Sequence, residues 1–324
     1  MLSLTILIGI MKRVYVVYDA AVRDFYADFR HSIKGEILGE LALICDEQHK
    51  SLSSVENICR ALLAADAEKT DTLLAVGGGV CSDICGLAAA LYKRGMRFEI
   101  VPTTLLSMAD ASIGGKNGVN LKGMKNVIGT FYPCSKVYIR KEVLRSLPEE
   151  EILSGSAEIL KTLLLFDEKA YQKAVGTFSE WAKGEHGESL LDEMTRWAEK
   201  SAKLKAKIVK RDPFDKGRRH LLNFGHTFAH AIEWKSEEKI SHGEAVAIGI
   251  IQALRLSERN GWCEKGLADR IRDDFRRCKL PTEMPYEENE LAEALKNDKK
   301  IENGTVDFVS IKRIGKPLRK KIKI

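Results

Sequence analysis

Residues 222–233 read LNFGHTFAHAIE and carry His226 and His230 four positions apart. On a helix that spacing points both imidazoles from one face, so that they can reach the same object. His242 follows in SHGE, and upstream Glu158 and Lys161 stand three apart in SAEILK. A carboxylate with two or three imidazoles suits Zn²⁺ or a similar divalent ion that keeps a position open for substrate. The alternative is that histidines so spaced merely pack or cap. The run is not HExxH: Thr227 and Phe228 follow the first histidine, so no glutamate is placed as a metalloprotease base.

A second group with chemical potential lies in the N-terminal half. Gly77-Gly78-Gly79 follows the buried-strand run TLLAV (72–76) and precedes a helical stretch over 83–94. Glycines between strand and helix let backbone approach a ligand, and the helix N-terminus then favours phosphate. The run is not GxGxxG, and a tight structural turn is the competing account. Asp19, at the end of the RVYVVY strand (13–18), could accept from ribose hydroxyls as acidic residues do in dinucleotide folds, although aspartate also forms turns there. PTTLLSMADASIGGKNGVN (102–120), extended by 122–126, is too polar and glycine-rich for core, and it predicts a ligand-contacting loop.

The elements that must position these residues alternate in the first half. After the 13–18 strand and a helical stretch, residues 36–45 suggest helix running into strand. A helix over 52–65, the 72–76 strand, the 83–94 helix and a strand over 98–101 follow. That alternation predicts a Rossmann-like α/β domain, a parallel sheet with helices on both faces. From Glu149 onward strand signals nearly vanish. Helical periodicity covers 150–165, 168–181, 189–209, 221–233, 243–260 and 265–278, and one alternating stretch, TVDFVSI (305–311), predicts a strand. Leu147-Pro148 marks the boundary, giving an α/β domain over 1–148 and a C-terminal helical bundle over 149–324, with small-molecule chemistry expected in the cleft between them.

Bulk properties narrow the function classes. The 324-residue length suits two domains, and 44% hydrophobic with 30% charged residues excludes disorder. The net charge, 52 − 46 = +6, comes from spread Lys and Arg, which suits a small anionic substrate better than nucleic acid. The basic run 319–323 is expected to be a solvated tail. Seven cysteines, an odd number without disulfide or zinc-knuckle spacing, suit reduced thiols in a cytoplasm. The apolar run 2–10 is too short to span a bilayer and lacks signal-peptide features, so a first strand is expected and no membrane partner.

In order along the chain, GGGVCSD, RG, PTTLL…DASIGGKNGVN, KN-IG-F, SLP, SG-AE-LK, LNFGHTFAHAIE, HGEAVAIG and DKK resemble the 3-dehydroquinate synthase family among the sugar-phosphate cyclases. The likeness covers about Val14 to Gly315. It implies metal ligands (Zn²⁺ or Co²⁺) at Glu158, His226 and His242, which moves His230 from ligand to acid/base and substrate-contacting residue. NAD contacts are implied at Asp19, Glu47, Lys50, Gly78, Gly79, Val80, Asp83, Thr103, Thr104 and Ser146, the last where the family usually has threonine. Substrate contacts are implied at Asp110, Lys116, Lys125, Asn126, Lys161, Lys205, Arg219, Asn223, His230 and Lys299. Catalytic roles are implied for His230, Lys161 and Asp215, the last standing where the family has a glutamate. Arg94 resembles an arginine that reaches a neighbouring subunit's site, which implies a homodimer.

The implied reaction turns 3-deoxy-D-arabino-heptulosonate 7-phosphate into 3-dehydroquinate and phosphate by transient oxidation, elimination, reduction and aldol closure. A phosphate ester with a carboxylate requires a ring of fixed cations. Ala21, Ser82, Pro213 and Asp215 depart from the family's usual residues. Three rival readings are a cyclase acting on sedoheptulose 7-phosphate or an amino-heptulosonate, a metal-dependent polyol dehydrogenase, and a non-catalytic metabolite-binding protein.

Overall fold

The computed structural model describes residues 3–4, 13–236, 239–287 and 305–323. Two compact units divide the chain, Met1–Leu147 and Pro148–Ile324.

The first unit is built on a six-stranded sheet: β1 (Ser3–Leu4), β2 (Arg13–Asp19), β3 (Glu36–Leu43), β4 (Thr72–Gly77), β5 (Arg97–Pro102) and β8 (Lys136–Val137). Its order is β1-β8-β5-β4-β2-β3, and every pairing is parallel. β4 is buried along its whole length, as a strand covered on both faces must be. Helices α1 (Arg23–Arg30), α2 (Leu52–Ala64) and α3 (Gly79–Leu91) make the crossovers.

Two local expectations are corrected here. Residues 36–43 are strand throughout, because β3 pairs with β2 from Glu36 to Leu43 and pairing overrides the helix propensity of Glu, Leu and Ala. The expected polar loop over 102–120 instead contains a π-turn, Ser107–Ala111, and then β6 (Lys116–Leu121), which pairs antiparallel with β7 (Met124–Phe131). Lys122 (φ +49°) and Gly123 (φ +76°) turn that hairpin, both in the left-handed region that two-residue hairpin turns demand.

The second unit holds α4 (Glu149–Phe166), α5 (Glu168–Ala182), α6 (Glu188–Arg211), α7 (His226–Lys235), α8 (His242–Arg259) and α9 (Leu267–Arg277). The expected helix over 221–233 is broken. A 3₁₀ turn ends at Asn223, Gly225 takes φ +79°, and α7 starts at His226. The basic run 319–323 is not a tail: it belongs to β10 (Lys316–Lys323), which pairs antiparallel with β9 (Thr305–Arg313). The helical bundle therefore carries a hairpin as well. All seven cysteines are free thiols. Among the described residues, no helix is long and apolar enough to cross a membrane. Lys299 lies outside the described residues.

Candidate active site

Two glycine contacts in the second unit bring distant side chains together. A Cβ on Gly243 would stand 2.2 Å from Ser154 Cα, so the start of α8 lies directly on the backbone of α4. A Cβ on Gly249 would stand 2.2 Å from the Gly225 carbonyl oxygen, so the start of α7 rests on α8 in the same way. His242, His226 and Glu158 are thereby carried from three helices to one point, their donor atoms all within 4.8 Å of one another. His230 is not in that trio; its ring meets His226 edge-on at 5.6 Å between centroids.

Both imidazoles turn Nε2 inward. His226 Nε2 is 3.7 Å and His242 Nε2 3.3 Å from Glu158 Oε1. Their Nδ1 atoms are occupied outward, His226 against the Phe224 carbonyl at 3.2 Å and His242 against Glu233 Oε1 at 3.3 Å. Such outer partners fix the tautomer and present Nε2 as a donor to a metal. Both Glu158 oxygens are buried without a well-formed hydrogen bond among the described residues. Lys161, itself only 2% exposed, sets its ammonium against Glu158 Oε2. A carboxylate and two Nε2 atoms converging on one point fit Zn²⁺ or Co²⁺ with an open coordination position.

The electrostatics of Glu158 and His226 suit a cation-binding point, whereas His242 has to release a proton before its Nε2 can ligate. Burial would raise the Glu158 pKa, but Lys161, His242 and His226 overcome it and hold the carboxylate well below its usual range. Burial, then the Lys161 charge, push His226 well below its usual range and keep it neutral. Burial opposes charge on His242, yet its side chain stays 36% exposed, and the nearby Glu158 and Glu233 carboxylates raise its pKa to about 10.

Arg219 and Lys205 are also buried in this unit, and Asn223 ends the 3₁₀ turn before α7. The loop between α6 and that turn is wrapped around Asp212, whose carboxylate accepts from the backbone N–H groups of Lys216, Gly217 and Arg219 at 2.8–2.9 Å. Arg219 Nη1 donates to the Pro213 carbonyl at 3.2 Å. The departures at Pro213 and Asp215 thus lie inside a well-bonded loop. Asp215 there adopts φ +55°.

In the first unit, α3 starts at Gly79 with Gly78 as an N-cap that supplies no side-chain bond, so the first N–H groups of α3 are not capped by that residue. A Cβ on Gly77 would stand 2.4 Å from Cys81 Cβ, which leaves no room for a side chain there, and one on Gly78 would stand 3.2 Å from Thr104 Cγ2, a tight fit. Ser82 sits one turn in and folds its hydroxyl onto the Gly79 carbonyl at 2.8 Å. Asp19 caps the turn after β2 by accepting from Ala21 N–H at 3.1 Å, and burial raises its pKa. Val80 follows Gly79 in α3, and Thr103 donates its N–H to Gly77 O at 3.0 Å.

Beside this turn a polar network links several named residues. Lys50, 4% exposed, reaches Asp83 Oδ2 and Asn126 Oδ1, each at 2.7 Å. Asn120 donates to Glu47 Oε2 at 2.8 Å, and its own Oδ1 accepts from Asn126 N–H at 2.9 Å. Asp110 is carried by the π-turn, a feature that favours functional positions. Lys116 and Lys125 project from the β6–β7 hairpin, both exposed. Ser146 lies exposed at the end of the unit. Arg94 is not with the glycine turn: it follows the far end of α3, about 20 Å along that helix, and its side chain is exposed.

Sequence reasoning missed Glu233 and the packing glycines Gly225, Gly243 and Gly249. Only Glu233 had a signal, seven residues after His226 and so on the same helical face.

The fold is shared with solved cyclases. The 2-epi-5-epi-valiolone synthase of Streptomyces hygroscopicus, solved with NAD⁺ and Zn²⁺ bound, superposes with a TM-score of 0.84 at 27% identity, covering 97% of this chain and 88% of that one. A 2-deoxy-scyllo-inosose synthase superposes at 0.80 with 22% identity and the same coverage, which bears on fold alone. These likenesses define a sugar-phosphate cyclase fold. A family model described as 3-dehydroquinate synthase N-terminal matches residues 40–154, and one described as 3-dehydroquinate synthase C-terminal matches 155–301. The 3-dehydroquinate synthase of Campylobacter concisus is 40% identical over 272 residues, covering 83% of this chain and 76% of that protein. That of a Synechocystis species is 38% identical over 317 residues, covering 95% and 86%. The chain belongs to the 3-dehydroquinate synthase family.

Proposed function

We propose that the protein is a lyase that converts 3-deoxy-D-arabino-heptulosonate 7-phosphate into 3-dehydroquinate and phosphate, with NAD⁺ and Zn²⁺ or Co²⁺ as resident cofactors. The observation that carries the reading is the convergence of Glu158, His226 and His242, with both Nε2 atoms facing one buried carboxylate. When bound, NAD⁺ supplies a reversible hydride acceptor and the metal a Lewis acid beside the hydroxyl to be oxidised.

The chain's own groups do the rest. Glu158, His226 and His242 hold the metal, with Glu233 and the Phe224 carbonyl orienting the rings. The N–H groups at the start of α3 face the cofactor's phosphates, Thr103 and Thr104 line the same turn, and Asp19 takes the ribose hydroxyls. Glu47, Lys50, Asp83 and Ser146 complete the cofactor's surroundings. Lys161, Lys205 and Arg219 supply fixed positive charge for carboxylate and phosphate, aided by Lys116, Lys125, Asn126, Asn223, Asp110 and Lys299. His230 and Asp215 move protons at the hydroxyls of the sugar. Arg94, exposed and far from its own glycine turn, serves the site of a second copy, so the protein works as a homodimer. Free thiols fit a cytoplasmic setting.

The test is phosphate release from the heptulosonate phosphate by the purified protein with NAD⁺ and Zn²⁺. Release that stops with chelator and returns with metal, without accumulation of NADH absorbance, is expected. Accumulating NADH would point to a dehydrogenase, and faster turnover of sedoheptulose 7-phosphate to a related cyclase.

A further inference from the structure

The loop from Asp212 to Arg219 carries two residues to which the reading above gives roles, and something must hold it still. The N–H groups of Lys216, Gly217 and Arg219 are taken by the Asp212 carboxylate. Three of its carbonyls accept from side chains: Pro213 O from Arg219 Nη1, Asp215 O from His220 Nε2 at 2.9 Å, and Gly217 O from Arg319 Nη1 at 3.1 Å. His220 in turn has Nδ1 3.1 Å from Asp307 Oδ2 and 3.1 Å from Arg319 Nη2. Asp307 on β9 and Arg319 on β10 are themselves paired across the hairpin.

We propose that His220, gripped by Asp307 and Arg319 of the C-terminal hairpin, is a positioning residue that holds the 212–219 loop in the conformation that places Asp215 and Arg219 for reaction. The inference rests on the roles given above to those two residues. Three physical points carry it. Asp215 sits at φ +55°, in the left-handed region that L-residues visit uncommonly, although aspartate tolerates it better than most. The His220 bond falls on the carbonyl of that same residue. A carbonyl only accepts, so Nε2 bears the hydrogen; Nδ1 can then accept from Arg319 when the ring is neutral or donate to Asp307 when it is charged, and the ring need not move. The hairpin thus acts on the reaction through the loop and touches no substrate.

The test compares His220→Ala, Arg319→Ala, the double variant and His220→Gln, whose amide can donate to the Asp215 carbonyl and accept from Arg319. In the full-length protein loaded with Zn²⁺ and NAD⁺, kcat/KM for phosphate release should fall about 10–100-fold in each alanine variant, the scale expected for misplaced reacting groups. Metal content, NAD⁺ affinity and melting temperature should stay near wild type, and His220→Gln should recover most of the loss. The double variant should be no worse than the poorer single one, because both remove the same clamp. Trypsin cleavage after Lys216, Arg218 or Arg219 should quicken in the alanine variants and slow again in His220→Gln. Alanine variants with wild-type kcat/KM and unchanged cleavage would overturn the proposal, as would losses that multiply in the double variant. A wild-type protein that releases no phosphate would sink the functional reading and the positioning role with it. The cleavage comparison still reports on the clamp, so the two failures are told apart.

Discussion

Gly243 and Ser154 meet backbone to backbone, with space for a hydrogen and none for a methyl group. This contact sets where α8 begins relative to α4, and so where His242 stands relative to Glu158. A Cβ at Gly243 would have to displace Ser154 Cα, which is main chain and cannot swing aside. Gly243→Ala should therefore cost about 1–3 kcal/mol of stability, the usual penalty for overpacking. Metal affinity should drop by more than the stability loss accounts for, because the ligands are levered apart. Calorimetric melting and zinc titration on the same preparation check both.

Glu233 illustrates the outer partner of a ligand. It accepts from His242 Nδ1, and removing it frees the ring to rotate and lowers the basicity of Nε2. Glu233→Ala should weaken Zn²⁺ binding about 10–100-fold, as such partners typically do. Glu158→Ala should abolish binding at micromolar metal. Competition with a chromogenic chelator measures both, and equal affinities for the two variants would contradict the arrangement.

Lys50 is the buried hub of the first unit's polar network. Lys50→Met keeps the aliphatic stem but removes one partner of Asp83 and the donor to Asn126. Asp83 is only partly buried and can recover some hydration, so a loss of about 1–3 kcal/mol is expected. NAD⁺ affinity, followed by protein fluorescence, should fall as well, because Asp83 and the β6–β7 hairpin lose their common tie.

How far the sequence reveals this arrangement depends on the range of the interactions. The parallel sheet is legible because β2, β4 and β5 are short apolar runs separated by helical stretches, and the long helices because their apolar periodicity is unbroken. The β6–β7 hairpin is hidden: its strands are polar and glycine-rich, and its pairing depends on two left-handed residues at Lys122 and Gly123. The spacing of His226 and His230 suggests a shared ion, but helix α7 begins at His226 and the inward-facing partners come from α4 and α8. Which histidines meet Glu158 is decided by glycine contacts between residues remote in sequence, which no local pattern encodes. His220 and its grip by the hairpin are invisible for the same reason, since Asp307 and Arg319 lie about a hundred residues away.

Asp212 provides the pH-dependent case. Its carboxyl is lowered from the ordinary 3.8 to about 2, first by the N–H of Arg219 and then by that of Lys216, with a smaller contribution from Gly217. A group whose folded-state pKa is depressed adds stability that is complete above its unfolded value and disappears as pH falls through the folded one. The loop should therefore keep its Asp212 anchor at pH 5 and lose it between about pH 4 and about pH 2. Asp212→Asn removes the titrating charge while keeping an acceptor oxygen. The difference in hydrogen-exchange protection of the Lys216, Gly217 and Arg219 amides between wild type and this variant should hold constant above pH 4. It should then shrink toward zero as pH approaches 2. A difference that grew on acidification would have the wrong sign for a carboxylate held down by backbone donors, and would show that another group anchors the loop.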